Sequence, residues 1–138
     1  MKILVIDGQG GKLGAEVINL IKNKFEKFEI IAVGTNALAT QAMLKAGASV
    51  VATGENPVVV NAKKVDVIIG PLGIVIADAF HGEVTPKMAL AVAQAEVKRI
   101  FIPMNKCDNI VAGLTNQTMG DILEDIIKHL DTIYKDMV

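Results

Sequence analysis

Tryptophan is absent from this chain, tyrosine occurs once and phenylalanine four times, so flat aromatic surfaces for stacking nucleobases are in short supply. An excess of charge is missing too: 14 Lys and Arg stand against 15 Asp and Glu, a net charge of −1 with histidine neutral. Without a basic surplus there is no general attraction to nucleic-acid phosphates or to an anionic bilayer, and nucleic-acid binding is not expected. Cys107 is the single cysteine, which excludes an intrachain disulfide and a cysteine-rich zinc site and agrees with a reducing cytoplasm. Long apolar runs are lacking as well. The most apolar stretch, residues 65–80, is broken by Asp66, Gly70, Pro71, Gly73 and Asp78, short of the ~20 apolar residues that a spanning helix needs. The opening residues before Asp7 are too few for a secretory signal. No membrane segment is predicted, and the expected location is the cytoplasm.

What is present is apolar mass. The 138 residues are enough for one domain, 1–138, with a respectable core. Apolar residues make up 51% and mean hydropathy is +0.44, high for so small a chain, so part of that surface is expected to meet another copy in a homo-oligomer.

The most informative segment is the first. Lys2-Ile3-Leu4-Val5-Ile6 reads as a buried strand that passes through Asp7 into Gly8-Gln9-Gly10-Gly11-Lys12-Leu13-Gly14 and opens an amphipathic helix. Strand, glycine turn and helix is the order that a phosphate site requires. Glycine turns at positive φ and approaches a ligand closely, and a helix N-terminus offers unpaired N–H groups with a partial positive charge. The spacing Gly8-x-Gly10-Gly11-x-x-Gly14 is a variant of the dinucleotide fingerprint. The candidate binding residues are Gly8, Gln9, Gly10, Gly11, Lys12, Leu13 and Gly14, with Thr35 and Asn36 at the end of the second strand, and the expected partner is a small phosphate-bearing ligand. The same glycines also serve to bring a helix close to a sheet. Asp7 would repel a phosphate unless it points away, binds a ribose or holds a cation. The second strand ends in Gly34-Thr35-Asn36, without the acid that binds the ribose hydroxyls of NAD. Neutral residues there weaken NAD and leave NADP, coenzyme A or a mononucleotide open as the cofactor.

Further along, Leu13, Val17, Leu20, Ile21 and Phe25 recur at helical steps, Glu29 to Val33 reads as a strand, and Asn36 caps a helix that stops at Gly47. Ala48 to Ala52 is a third strand, after which Asn56 and Pro57 predict a helix start that the propensity of Val58-Val59-Val60 opposes. Val65 to Ile69 is a fourth strand. Thr85-Pro86 opens a helix with Met88, Ala91, Val92 and Ala95 inward, and Arg99 to Ile102 is a fifth strand. Asn109 to Gly113 reads as a sixth strand or a loop, and Thr118 caps a final helix with an Ile122, Leu123, Ile126, Ile127, Leu130, Ile133 stripe. Alternation of strands and helices predicts an α/β, three-layer Rossmann-like domain with a mostly parallel sheet.

In such a sheet ligands bind beyond the carboxyl ends of the strands. The predicted loops there share small residues, amides and hydroxyls, with Lys12 and Lys106 as their basic side chains. Cys107 beside Lys106 allows a reactive thiolate, an inert buried cysteine being the plainer reading. Ile76 to Glu83 holds Asp78 and His81, which would share one face of a helix for acid–base work, although Gly82 and Pro86 argue for a bend. A metal held by Asp78, His81 and Glu83 is not expected. His129 is read as a partner of the final helix's dipole. Two alternatives to a nucleotide binder stay open: a small acid–base or thiol enzyme using His81 with Asp78, or Cys107 with Lys106, on a non-nucleotide metabolite, and a non-catalytic assembly module.

The strings Val5-Ile6-Asp7-Gly8-Gln9-Gly10-Gly11, Gly34-Thr35-Asn36-Ala37-Leu38-Ala39-Thr40, Ala52-Thr53-Gly54-Glu55-Asn56, residues 70–78 and Ile102-Pro103-Met104-Asn105-Lys106-Cys107 together resemble a family of small bacterial proteins known as a domain of unknown function. The likeness spans nearly the whole chain and implies a Rossmann-like fold; it supplies no activity, substrate or catalytic residue. The glycine loop also resembles that of small NAD(P)-dependent reductases, which have a second domain that this chain lacks.

Overall fold

The computed structural model describes residues 1–103 and 108–138. The first strand, β1 (Lys2–Asp7), is buried at every position after Lys2, which is why it reads as an unbroken apolar run: it lies mid-sheet with both faces covered. It is followed by α1 (Lys12–Lys24), β2 (Glu29–Gly34), α2 (Ala37–Lys45), β3 (Val50–Thr53), α3 (Glu55–Asn61), β4 (Val67–Pro71) with a 3₁₀ turn at Leu72–Val75, α4 (Pro86–Gln94), β5 (Lys98–Ile102) and α5 (Met119–Met137). The strands lie in the order β3-β2-β1-β4-β5 and every pairing is parallel.

Side-chain alternation sorts the strands into two cores. Ile3, Val5, Ile30, Ala32, Val67 and Ile69 point to Val17, Ile18 and Ile21 of α1, Met43 of α2, and Ile126 and Leu130 of α5. The opposite face, Leu4, Ile6, Ile31, Val33 and Ile68, packs on Val58 of α3 and on Met88, Ala89 and Val92 of α4. Helices thus cover the sheet on both sides, giving the three-layer Rossmann-like α/β fold that the alternation implies.

The caps that position the rim are formed. Asn36 accepts the Ala39 N–H at 2.8 Å, Thr85 the Met88 N–H at 3.2 Å, and Thr118 and Asp121 make a reciprocal capping box at α5. Two expectations change. Helix α3 starts from Gly54, φ 96, so Asn56 and Pro57 lie inside it, and Val58 to Val60 are helical because burying Val58 against the sheet outweighs their strand preference. β3 and β4 each begin two residues later than the apolar runs suggest, at Val50 and Val67. Of the two readings of residues 109–113, the structure has the loop: they form no strand and Ile110 is 96% exposed. Among the described residues no helix is long and apolar enough to cross a membrane.

Candidate functional site

From β1 the chain builds outward to β2 and β3, then crosses back to lay β4 on the other side of β1. The loops after β1 and β4 therefore diverge, and the crevice between them is where an open parallel sheet takes a ligand. A cavity of about 790 Å³ opens there. Residues from Asp7 to Leu13 form one wall, Pro71, Gly73 and the segment Ile76 to His81 the other, and Asp108, Asn109 and Met119 close the α5 end.

The glycine loop earns its composition at Gly11, the N-cap of α1, where φ is 73° and a Cβ would stand 2.6 Å from the Ala39 Cα of α2. A side chain there would disturb the packing of α1 on α2 whether or not a nucleotide binds, so Gly11 is not the clean probe of ligand binding that its place in the motif suggests. Gly10 is. A Cβ at Gly10 would meet nothing within 4 Å, on a residue that lines the cavity.

Asp7 is 6% exposed and aims inward. One carboxylate oxygen accepts the Gly8 N–H at 2.8 Å and the other the Gly14 N–H at 2.7 Å, so Asp7 ties the two ends of its own loop together. Burial pushes its carboxyl up from the ordinary value; the two N–H groups oppose this and the nearby Glu83 charge adds to it. The repulsion expected from a carboxylate at this position is softened, since both of its oxygens are spent on backbone N–H groups. Of the four opening N–H groups of α1, Gly14 donates to Asp7 and Ala15 to the Gly11 carbonyl, while Lys12 and Leu13 donate to no described residue. Lys12 is the cavity's lysine among the described residues, and the carboxylates of Glu16, Asp78 and Asp108 stand around the same space.

Thr35 and Asn36 do not line the cavity. They sit one step beyond its wall, where Asn36 donates to the Gln9 carbonyl at 2.9 Å. Both side chains also donate to a single oxygen of Glu83, Thr35 at 2.5 Å and Asn36 at 2.6 Å. The end of β2, neutral in sequence, thus holds an acid brought from a distant loop. Burial raises the Glu83 carboxyl, but donation from Thr35, Asn36 and the Gln9 N–H, with His81 nearby, outweighs this and holds it below its ordinary value. Glu83 is the residue that sequence reasoning missed as a rim acid: it is 48 positions from Thr35, and no spacing rule joins them.

The loop that carries Glu83 is compact. The Asp78 N–H donates to the Val84 carbonyl at 2.7 Å and the Val84 N–H to the Ala79 carbonyl at 3.1 Å, with Val84 itself buried. Asp78, Phe80 and His81 adopt positive φ (66°, 58° and 57°), a sparsely populated region for residues with a Cβ. Phe80 lies across the crevice: a Cβ on Gly8 would stand 2.9 Å from its ring and one on Gly73 3.0 Å. Asp78 and His81 therefore lie on a bend and not on a helix face; both are exposed, line the cavity and form no ion pair with each other. No group of three His, Cys, Asp or Glu placed to hold a metal occurs among the described residues. Lys106 and Cys107, with Met104 and Asn105, fall outside the described residues. His129 pairs with Asp125 at 3.3 Å on the last helix, away from this cavity.

A family model for a domain of unknown function (DUF3842) matches residues 2–135, and the chain belongs to that family. No curated protein matches it. Among solved structures the chain is similar, at 16% sequence identity and a TM-score of 0.48, to a dodecameric FMN-dependent Ubix-like decarboxylase from Escherichia coli O157:H7, over 96% of this chain and 76% of that one.

Proposed function

We propose that this member of the DUF3842 family binds a small phosphate-bearing ligand of the nucleotide class in the cavity between the β1 and β4 loops. The observation that carries the reading is the pair of open N–H groups at Lys12 and Leu13, which begin α1 on the wall of a cavity at the sheet's switch point. Gly8 to Leu13 form the phosphate cradle. Gly14 and Asp7 brace it, Lys12 supplies a cation, and Thr35 and Asn36 act at the ribose end. NAD(P)-like cofactors, coenzyme A and mononucleotides all fit this description, and neither a reaction nor a catalytic residue is part of it.

Thermal denaturation with NAD, NADP, FMN, ATP and coenzyme A tests the reading: a ligand at ~100 times its Kd adds ~2.7 kcal/mol of stability. At least one is expected to stabilise the native protein and to lose its effect in Gly10→Val, whose side chain enters open space without disturbing the fold. A flat response to all five overturns the proposal.

Self-association is a second reading, favoured by the exposure of Ile110 (96%), Leu38 (64%) and Leu90 (54%). Light scattering is expected to give a mass above that of one chain; a monomer at millimolar concentration removes it.

A further inference from the structure

We propose that Glu83 selects the ligand by accepting a hydrogen bond from a free ribose hydroxyl, so that the nucleotide bound here carries no 2′-phosphate. The inference rests on the cavity being a nucleotide site, and it narrows which nucleotide that is.

In a Rossmann-like sheet the ribose of a nucleotide whose phosphate sits on the first glycine loop falls at the end of β2, where an acid recognises its hydroxyls and a basic residue marks a 2′-phosphate. Read along the chain, that place is Gly34-Thr35-Asn36 and carries neither. Read in space, it carries Glu83. The carboxylate is held there by Thr35 Oγ1 and Asn36 Nδ2 on one oxygen, and Asn36 is itself fixed by the Gln9 carbonyl and the Ala39 N–H. Like Thr35 and Asn36, Glu83 stands just outside the cavity lining, but Asn36 Nδ2 joins it to the carbonyl of Gln9, which does line the cavity, so a ligand that extends past Gln9 reaches the acid. A carboxylate accepts about four hydrogen bonds, and Thr35 and Asn36 both donate to one oxygen, which leaves the other oxygen able to accept. A hydroxyl fills that position. A phosphate cannot: it brings acceptors and like charge to an oxygen that has no proton to give.

The residues around Glu83 sharpen the choice. No Lys or Arg forms an ion pair with it among the described residues, where a 2′-phosphate site would be expected to place one. Buried Val84 and the 78-to-84 hydrogen bond anchor the backbone of the loop that carries it.

The experiment uses matched probes that differ only in the 2′-phosphate, NAD against NADP and adenosine 5′-monophosphate against adenosine 2′,5′-bisphosphate, titrated calorimetrically into the full chain. The unphosphorylated member of each pair is expected to bind about tenfold or more tightly, the effect of placing like charges together. Glu83→Gln keeps an oxygen for Thr35 and Asn36 but removes the charge, and it is expected to erase most of that preference; Glu83→Asp, which keeps the charge, is expected to retain its direction. Equal or tighter binding of the 2′-phosphorylated probes to the wild-type chain overturns the inference while leaving the nucleotide site standing, and so does a preference that Glu83→Gln leaves untouched. Failure of all four probes in the wild-type chain, with no response to ATP, FMN or coenzyme A, removes the nucleotide site and the inference with it.

Discussion

Asp7 and Glu83 are two carboxylates beside one glycine loop, close enough that the Glu83 charge acts on Asp7, yet the protein pushes their acidities in opposite directions. Asp7 is sealed beneath the loop with two backbone N–H donors, too few to offset its loss of water. Glu83 keeps part of its water and accepts two side-chain donors on one oxygen. Asp7 spends both oxygens on the shape of the loop, whereas Thr35 and Asn36 hold Glu83 by one oxygen only.

Removing Asp7 is the strongest way to break the comparison. Asp7→Ala strands the Gly8 and Gly14 N–H groups in a buried loop and is expected to cost about 2–4 kcal/mol in urea denaturation. Glu83→Gln, by contrast, is expected to cost less than about 1 kcal/mol, since an oxygen acceptor survives at a partly exposed position. Equal costs would mean that the two acids are not divided into these roles.

A smaller effect sharpens the comparison through pH. The folded-state value of Asp7 is raised, so its contribution is complete below the ordinary 3.8 and is lost as pH climbs through the raised value. That of Glu83 is lowered, so its contribution is present above the ordinary 4.5 and is lost as pH falls through the lowered value. The stability advantage of the wild-type chain over Asp7→Asn should therefore shrink from pH 4 to pH 7, and its advantage over Glu83→Gln should grow. Urea midpoints at matched pH check both slopes, and slopes of the same sign would contradict the arrangement described.

The fold was legible where the sequence repeats a local rule. Apolar runs at Ile3 to Ile6 and Ile30 to Val33, and caps at Asn36, Thr85 and Thr118, each encode their own element within a few residues. The sequence misleads where tertiary packing overrides the local preference, as in the helical Val58 to Val60. For the candidate site the same boundary applies. Gly8 to Leu13 could be read because a strand, a turn and a helix are contiguous. The Phe80 ring against Gly8 and the Glu83 carboxylate against Thr35, 48 positions away, could not, because they depend on where a distant downstream loop is laid across the sheet.

The central position of β1 has a consequence for how the chain acquires this site as it is made. Ile3 finds its partner Ile30 on one side early, but Val67 on the other only after α2, β3 and α3 have been added. Until then half of the innermost strand has an open edge, and the two walls of the crevice are on separate lengths of polypeptide. Maturation is thus ordered by topology: the cradle comes first, its facing wall last, and a chain arrested near residue 60 would carry the glycine signature with nothing opposite it.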